Sequence, residues 1–473
     1  MKPHEYAGYD AIGLRDLIRT GEVTATEVEA AARDALQKAN AEVNGLALPL
    51  FTPALAHAPD GPLAGVPFLI KDSQPMAEGV PFGLGSRALR HVPARHDNDL
   101  MTRFRAAGLV TLGVTTVPEM GLSFSTEPVK HGPARNPWDL ARGVGGSSGG
   151  AAALVAAGAV PVAHGNDGAG SVRVPASCCG LVGVKPSRGR TPSGPDTGEA
   201  FFGMVCETAL SRTVRDSAHL LDAIQGPGVG DKYTAPPPSR PYAEEVGADP
   251  GRLRVAVTTR AWSGVAVDPE VAVVTAEACG LLSEMGHEVT EASPAIDWED
   301  VLRAMVALGA ASAAHPLVTA PRRLDPSLLE AVTRRILLEA GEMTALELMG
   351  AFDAQNRVSR SVGAFFTEYD LLVTPTLGQP PAPHGTLRYD DPAHTFRTWL
   401  ESMFAYGPFT VVFNVTGQPA LSLPLGRTSG GLPVGVQFVA PYGREDLLFR
   451  VAARLEEAAP WRDRVPPIFA GNL

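Results

Sequence analysis

The stretch from residue 130 to 190 constrains the fold more than any other part of the chain, because glycine, serine and alanine dominate it. Within it, Gly143-Val-Gly-Gly-Ser-Ser-Gly-Gly150 leads directly into an apolar segment at 151–157 that predicts a helix. Residues this small allow the backbone to approach another group closely. A flexible linker is the simplest alternative, but a helix that begins at once favours a packed loop.

Two known loop types can be compared with this run. A phosphate-binding P-loop ends in Gly-Lys followed by Ser or Thr, and Ala151 stands there instead. The pattern Gly145-Gly-Ser147-Ser-Gly149 matches the G-x-S-x-G nucleophile elbow. Such an elbow must directly follow a core strand, whereas Asn136-Pro-Trp-Asp-Leu-Ala-Arg142 is typical of a turn-rich loop. The sequence therefore excludes the P-loop and leaves the elbow without its structural context.

Strands and helices alternate along the chain. Val66-Pro-Phe-Leu-Ile70 predicts a buried strand that ends at Lys71. Further along, a strand at 253–257, a helix at 269–285 and a strand at 287–290 form a β-α-β unit. This alternation predicts an α/β fold with a large twisted sheet, mixed but mostly parallel, covered by helices on both faces.

We expect one domain over residues 1–473, with parts of different composition. Residues 225–250 are rich in glycine and proline, which is typical of a linker or a surface excursion. The predicted parts are an N-terminal helical segment at 1–60, a first core half at 61–222, the linker at 223–250, and a second core half at 251–473 with a helical cap at 299–366.

A second glycine-serine site, Gly165-Asn-Asp-Gly-Ala-Gly-Ser171, follows some twenty residues after the first. The backbone N–H groups of Gly168, Ala169, Gly170 and Ser171 lie in a stretch with almost no side chains and can turn toward one point. An oxyanion hole requires such an arrangement, and Ser171 at its end is placed to be a nucleophile. A tight glycine turn between strands is the alternative.

A serine hydroxyl needs a base before it can act as a nucleophile. His164 is close in sequence, but a buried structural histidine is the simpler interpretation. Lys71 ends a buried strand, where desolvation favours the neutral amine that can accept a proton. A lysine whose ammonium group reaches solvent is the alternative for an isolated Lys.

Taken together, these segments resemble the amidase signature family. The resemblance extends from about residue 10 to 460, and the matching segments occur in the family's order. They are Gly65-Val-Pro-Phe-Leu-Ile-Lys-Asp72, Asn136-Pro-Trp138, Gly145-Gly-Ser-Ser-Gly-Gly150, Asp167-Gly-Ala-Gly-Ser-Val-Arg-Val-Pro-Ala-Ser177, Cys179-Gly-Leu-Val-Gly-Val-Lys-Pro-Ser187, Leu371-Leu-Val-Thr-Pro-Thr376 and Asn414-Val-Thr-Gly-Gln-Pro-Ala-Leu-Ser422.

The resemblance implies an amidase that uses a Ser–cis-Ser–Lys triad and neither metal nor cofactor. Ser171 is then the nucleophile, Ser147, after a cis peptide bond, the bridging serine, and Lys71 the base. The resemblance further implies an oxyanion hole at residues 168–171. Gly121 and Ser147 are expected to contact the substrate. A supporting shell is expected from Ser148, Asp167 and Arg173.

One position departs from the family pattern. Ala169 stands where the family more often has glycine, so the oxyanion geometry would be altered if this position required a positive φ. Two other segments, His164-Gly-Asn-Asp167 and Ser177-Cys-Cys-Gly180, are most similar to the branch that contains aminohexanoate cyclic-dimer hydrolase.

The composition and charge of the chain restrict the kinds of molecule and metal that it is expected to bind. A formal net charge of −11 without a basic run argues against nucleic acid. The chain has four cysteines and no CxxC pair, which disfavours a disulfide framework and a structural zinc site. The first residues lack a signal-peptide core, and the longest apolar run, Ala151–Ala163, is too short to cross a bilayer. We expect a cytoplasmic enzyme acting on a small-molecule amide, without a membrane partner, and a homodimer is one assembly that the sequence allows.

Two alternatives remain open. An esterase with a Ser-His-Asp triad would use Ser147 as nucleophile and a late histidine such as His384 or His394. An amidotransferase subunit that supplies ammonia to a partner would use the same serine–serine–lysine triad, and a docking patch cannot be recognised in one sequence.

Overall fold

The computed structural model describes residues 1–73, 75–89, 92–320 and 324–473. Fourteen α-helices occur in these described ranges. They are α1 (Pro3–Ala7), α2 (Ala11–Thr20), α3 (Ala25–Val43), α4 (Asp99–Ala106), α5 (Gly149–Ala156), α6 (Arg173–Cys179), α7 (Val214–Ile224), α8 (Pro269–Glu284), α9 (Trp298–Val318), α10 (Ala331–Glu342), α11 (Ala345–Phe365), α12 (Phe396–Tyr406), α13 (Val412–Thr416) and α14 (Glu445–Ala458).

The same ranges contain fourteen strands. They are β1 (Pro67–Lys71), β2 (Pro81–Phe82), β3 (Val92–Pro93), β4 (Val110–Thr115), β5 (Arg135–Asn136), β6 (Asp139–Gly143), β7 (Val162–Asp167), β8 (Val182–Lys185), β9 (Cys206–Ser211), β10 (Arg254–Val257), β11 (Glu288–Glu291), β12 (Leu371–Pro375), β13 (Ala420–Arg427) and β14 (Pro433–Val439). Eight of them form one sheet in the order β11-β10-β12-β14-β13-β8-β9-β7. A parallel pair of β1 and β4 lies beside β7.

The sheet is mixed, as expected, but the prediction that it is mostly parallel is wrong. Within the described chain, β10 pairs in parallel with β11 and β12, and the other five pairings of the large sheet are antiparallel. The β-α-β unit at β10, α8 and β11 does form in parallel, because a crossover helix returns the chain to the same end of the sheet. Elsewhere, β13 and β14 are joined by a tight turn at residues 428–432 and must run in opposite directions.

Helices cover both faces of the sheet, and each face has its own hydrophobic core. On β12, Leu372 packs into one core, whereas its neighbours Leu371 and Val373 pack into the other, because successive side chains of a strand point to opposite faces. The first core contains α3, α5, α6 and α9 to α13, and the second contains α4, α7, α8 and α14.

Three helices, α9 to α11, occupy the region where the sequence predicts a helical cap, of which residues 321–323 lie outside the described ranges. The most apolar 18-residue window of helix α9 has a mean hydropathy of 1.5, and the helix is long and apolar enough to cross a membrane. Of the residues in this window, 61% are buried inside the protein, which is also typical of a core helix in a soluble domain. Its apolar residues contribute to the first core.

Candidate active site

Three separate chain segments bring Lys71, Ser147 and Ser171 together. Lys71 is the last residue of β1, Ser147 lies in the loop before α5, and Ser171 lies in the turn between β7 and α6. The Lys71 Nζ and Ser147 Oγ atoms are hydrogen-bonded at 2.8 Å; a protonated amine donates this bond, and a neutral amine can accept it. Ser147 and Ser171 line the same pocket, although their hydroxyl groups form no hydrogen bond with each other in the described structure.

The Lys71 side chain is completely buried, as its place at the end of an apolar strand predicts. Burial lowers the pKa of Lys71 to about 7, and the negative charges of Glu207 and Asp167 oppose this effect. A second partner of the amine is Asn166, whose side-chain Oδ1 atom lies 2.5 Å from Nζ. The amine is therefore in a position to lose its proton near neutral pH.

The loop that carries Ser147 is packed against neighbouring backbone. The peptide bond between Gly146 and Ser147 is cis. A Cβ atom on Gly146 would lie 2.5 Å from the carbonyl oxygen of Ser123, so this position has no room for a side chain. Across the pocket, a Cβ atom on Gly121 would lie 3.5 Å from Ser147 Oγ, which places Gly121 where the sequence predicts substrate contact.

The predicted oxyanion hole lies in the turn between β7 and α6. None of the backbone N–H groups of residues 168–171 donates a hydrogen bond to another group of the described chain. Gly170 has a φ of +142°, a conformation that L side chains rarely adopt. The φ angle of Ala169 is not positive, so an alanine at this position is compatible with the turn.

The three residues predicted to form a supporting shell lie next to this turn. Asp167 forms an ion pair with Arg173, with Oδ1 and the guanidinium Nη2 atom 2.8 Å apart, and both side chains are fully buried. Burial alone would raise the pKa of Asp167, but the Arg173 guanidinium keeps it well below its usual range. The other predicted member, Ser148, donates from its backbone N–H to the Ser171 carbonyl oxygen at 3.2 Å and so connects the two loops.

The pocket above these residues has a volume of about 160 Å³. Its wall is mainly apolar, with side chains from several distant parts of the chain. The apolar lining includes Leu122, Phe124, Phe201, Val205, Met305, Phe396, Leu400 and Met403. Polar side chains of Ser73, Asn166 and Glu207 line the pocket beside the two serines. The pocket therefore suits a small ligand with an apolar body and a polar group near Ser171.

Sequence reasoning missed two polar residues of the site, Asn166 and Glu207. Asn166 stands directly before Asp167 in the second glycine-serine motif, and this position was the available signal. Glu207 lies on β9, and nothing in the local sequence distinguishes it from a surface carboxylate. His164 is completely buried, and its Nε2 atom lies 2.7 Å from Glu207 Oε2.

The two histidines that an esterase triad would require lie away from the serines. His384 forms hydrogen bonds with Glu127 at 3.1 Å and with the carbonyl oxygen of Leu140 at 3.2 Å. His394 interacts with Thr398. Neither histidine lines the pocket that contains Ser147 and Ser171.

The cysteines and the clusters of His, Cys, Asp and Glu side chains in the described residues bear on whether the chain has a disulfide or a metal site. All four cysteines are buried and free, including the adjacent Cys178 and Cys179. Within the described ranges, no group of three His, Cys, Asp or Glu side chains is arranged to hold a metal ion.

Comparison with known proteins gives concordant results. The family model described as Amidase matches residues 27–449. The 6-aminohexanoate-cyclic-dimer hydrolase of Paenarthrobacter ureafaciens is 39% identical over 475 residues, covering 97% of this chain and 96% of that protein. The protein of the same name from Pseudomonas sp. (strain NK87) has the same identity and coverage. A solved structure of 6-aminohexanoate cyclic dimer hydrolase complexed with substrate matches with a TM-score of 0.90 at 38% identity, covering 98% of this chain and 99% of that chain.

Proposed function

The chain belongs to the amidase family and hydrolyses amide C–N bonds, and from this premise we propose that the reaction passes through an acyl-enzyme on Ser171. In this proposal Ser147 and neutral Lys71 activate the nucleophile. The observation that carries the proposal is the 2.8 Å hydrogen bond between Lys71 and Ser147, in a buried site that opens into the pocket of Ser171.

The first chemical step is a proton relay. Neutral Lys71 accepts the proton of the Ser147 hydroxyl, and Ser147 accepts the proton of Ser171 as its Oγ atom attacks the amide carbonyl carbon. A pKa near 7 suits this role, because a general base is most effective when its pKa lies close to the working pH. The relay requires the hydroxyl groups of Ser147 and Ser171 to be hydrogen-bonded when substrate is bound. Catalytic hydrogen bonds of this kind are commonly long in a free enzyme and shorten in the enzyme–substrate complex.

The second requirement is stabilisation of the tetrahedral intermediate. The free N–H groups of residues 168–171 lie beside the nucleophile and are suited to bind its oxyanion. One such donor typically lowers the barrier by about 3 kcal/mol. Ser147 then returns its proton to the departing nitrogen, since an unprotonated amide nitrogen is a very poor leaving group. Water repeats the relay and releases the carboxylic acid.

The pocket supports a small, largely apolar amide as substrate. Apart from Glu207, the side chains that line the pocket are uncharged. A negatively charged group on the substrate would therefore lose its hydration without gaining an ion pair. The 39% identity to 6-aminohexanoate-cyclic-dimer hydrolase supports an aliphatic amide in particular. We therefore propose neutral aliphatic amides, linear or cyclic, as the substrate class.

Hydrolysis of a panel of neutral aliphatic amides and the matching esters tests this function. Wild type is compared with Lys71→Ala, Ser147→Ala and Ser171→Ala, and with His384→Ala and His394→Ala as matched controls. We expect the first three variants to lose amide hydrolysis by at least about a thousandfold, and the two histidine variants to keep it. Circular dichroism verifies that every variant is folded.

The same experiment separates the alternatives. Full activity in Ser171→Ala or Lys71→Ala would refute the serine–serine–lysine mechanism, and loss in a histidine variant would favour the esterase triad. An ammonia-supplying subunit would hydrolyse the panel only together with a partner, so turnover by the purified chain alone argues against that role.

A further inference from the structure

We propose that Glu207 and His164 are positioning residues for the catalytic base: acting through Asn166, they orient the Lys71 amine so that its lone pair faces Ser147. This inference rests on the proposed function of Lys71. It concerns a buried hydrogen-bonded chain behind the triad that runs from β7 to β9 and returns to the end of β1.

The chain begins at His164, whose two ring nitrogens have different partners. Its Nδ1 atom accepts a hydrogen bond from the backbone N–H of Lys71 at 3.3 Å. Because Nδ1 accepts this hydrogen bond, it carries no proton, and the proton of the ring lies on Nε2. That proton is donated to Glu207 Oε2 at 2.7 Å. The Lys71 backbone therefore fixes the tautomer of His164, and His164 holds one oxygen of Glu207.

The second oxygen of Glu207 determines how the Asn166 amide is oriented. Asn166 Nδ2 donates to Glu207 Oε1 at 3.4 Å and to Ser73 Oγ at 3.1 Å. An ionised carboxylate only accepts hydrogen bonds, so it faces the NH₂ group of the amide and not its oxygen. The Oδ1 atom consequently points away from Glu207 and lies 2.5 Å from Lys71 Nζ.

This orientation matters because a neutral amine has two protons and one lone pair. Two acceptors from Asn166 face Nζ, the side-chain Oδ1 at 2.5 Å and the backbone carbonyl oxygen at 3.5 Å. With both protons directed to Asn166, the lone pair is left for the hydroxyl of Ser147 at 2.8 Å. If the Asn166 amide were turned over, its NH₂ group would compete for that lone pair.

Two buried carboxylates influence Lys71, and they differ in their partners. Asp167 on β7 is neutralised by the Arg173 guanidinium, and Lys185 also lowers its pKa. Glu207 on β9 is 5% exposed, and in the described structure it forms no ion pair with an arginine or lysine. A buried carboxylate without a cationic partner is costly to desolvate, which favours a functional reason for its place between the His164 ring and the Asn166 amide.

The test uses phenylmethanesulfonyl fluoride as a probe of Ser171, so that no substrate has to be known. Ser171 Oγ forms a bond to sulfur, fluoride leaves, and the serine proton passes through Ser147 to Lys71. Labelling at Ser171 is followed by mass spectrometry between about pH 5 and 10, and gives a midpoint and a plateau rate for each variant. The midpoint reports the pKa of the free enzyme's base.

Glu207→Gln should change both the plateau rate of labelling and the midpoint of its pH profile. A glutamine must present its NH₂ group either to the His164 N–H or to Asn166, and the conflict is relieved when the Asn166 amide turns over. We expect the plateau rate to fall by about tenfold. Loss of a negative charge that favours the protonated amine should move the midpoint about one pH unit toward acid.

Two further variants complete the design. Asn166→Asp keeps the shape of the side chain and places a negative charge against Nζ, so its midpoint should move at least about one pH unit toward alkali. Glu456→Gln is the matched control, because Glu456 accepts hydrogen bonds from the Val214 N–H on the far side of the core and should change neither quantity. Thermal unfolding verifies that each variant is folded.

A Glu207→Gln profile that coincides with that of wild type would overturn the inference. So would a fall in plateau without a shift in midpoint, since that is the signature of a purely structural carboxylate. If Glu207→Gln does not fold, the Asn166→Asp midpoint decides alone, and an unmoved midpoint refutes the positioning role. Failure of the proposed function gives a different result: wild type would then not be labelled at Ser171, or Lys71→Ala would be labelled at the wild-type rate.

Discussion

The burial of Lys71 makes a quantitative prediction about the pH dependence of amide hydrolysis. With a pKa of about 7, the neutral fraction of the amine is roughly a tenth at pH 6, a half at pH 7 and nine-tenths at pH 8. A rate that depends on the neutral amine should therefore rise about tenfold from pH 6 and become constant above about pH 8. An exposed lysine with an ordinary pKa near 10.4 would instead give a rise of about a thousandfold between pH 6 and pH 9.

The appropriate measurement is kcat/KM for a neutral amide, because this quantity reports the ionisation of the free enzyme. A substrate without ionisable groups ensures that the profile belongs to the protein. Stability is followed over the same range, so that unfolding at either extreme is not mistaken for titration. Lys71→Ala serves as the control and should have a low, flat profile.

Two results would refute the reasoning. A rate that still increases tenfold per pH unit beyond about pH 9 would mean that Lys71 keeps an ordinary pKa in the folded protein. A profile that is flat from about pH 5 to 8 would mean that no group titrating there acts as the base. In the second case the relay from Ser171 through Ser147 would have to end at a group other than Lys71.

Three further outcomes are expected. Asp167→Asn leaves the Arg173 guanidinium buried without its charged partner and should lower the free energy of unfolding in urea by about 3–5 kcal/mol; a loss below about 1 kcal/mol would contradict this. Gly170→Ala gives a residue with a side chain a φ of +142° and places its Cβ atom against the side chain of Thr410, so kcat should fall by about tenfold or more while the protein stays folded. An unchanged kcat would mean that this turn does not form the oxyanion hole. Folding lowers the pKa of Lys71 from 10.5 to about 7, so the unfolded chain binds more protons than the folded one between these pH values. The free energy of unfolding of wild type should therefore increase relative to that of Lys71→Met by roughly 3–5 kcal/mol as the pH rises from 7 to 10.5. A difference in the free energy of unfolding between the two proteins that is the same at every pH would contradict this.

Secondary structure follows from the sequence where one local signal decides it. Thr24 begins α3 because its hydroxyl accepts from the Glu27 N–H and the Glu27 carboxylate accepts from the Thr24 N–H, a reciprocal pattern that is visible in the sequence. Strand direction is not local in this sense. The parallel arrangement of the β-α-β unit at β10 does not extend to the whole sheet, and Gly430-Gly431 between two apolar runs indicates the hairpin between β13 and β14.

The site shows a similar division. Lys71, Ser147 and Ser171 could be recognised because each stands in a distinctive segment, and the structure brings them together. Glu207 could not, because its proposed role depends on the pairing of β7 with β9, which places it beside Asn166. A position defined by pairing between distant strands leaves no pattern in its own neighbourhood. The three proposed catalytic residues were thus accessible to sequence reasoning, whereas Glu207, which we propose to orient the base, was not.

The position of the pocket-wall residues along the chain affects how the substrate range of such enzymes can change in evolution. The three proposed catalytic side chains come from residues 71–171, whereas much of the apolar wall comes from α9 and α12, through Met305, Phe396, Leu400 and Met403. A large part of the pocket wall is thereby encoded in a different stretch of the gene from the three proposed catalytic residues. Substitutions or recombination within residues 298–406 can present a differently shaped chamber to the same reactive serine, so lineages can acquire new substrates while inheriting an unaltered reaction.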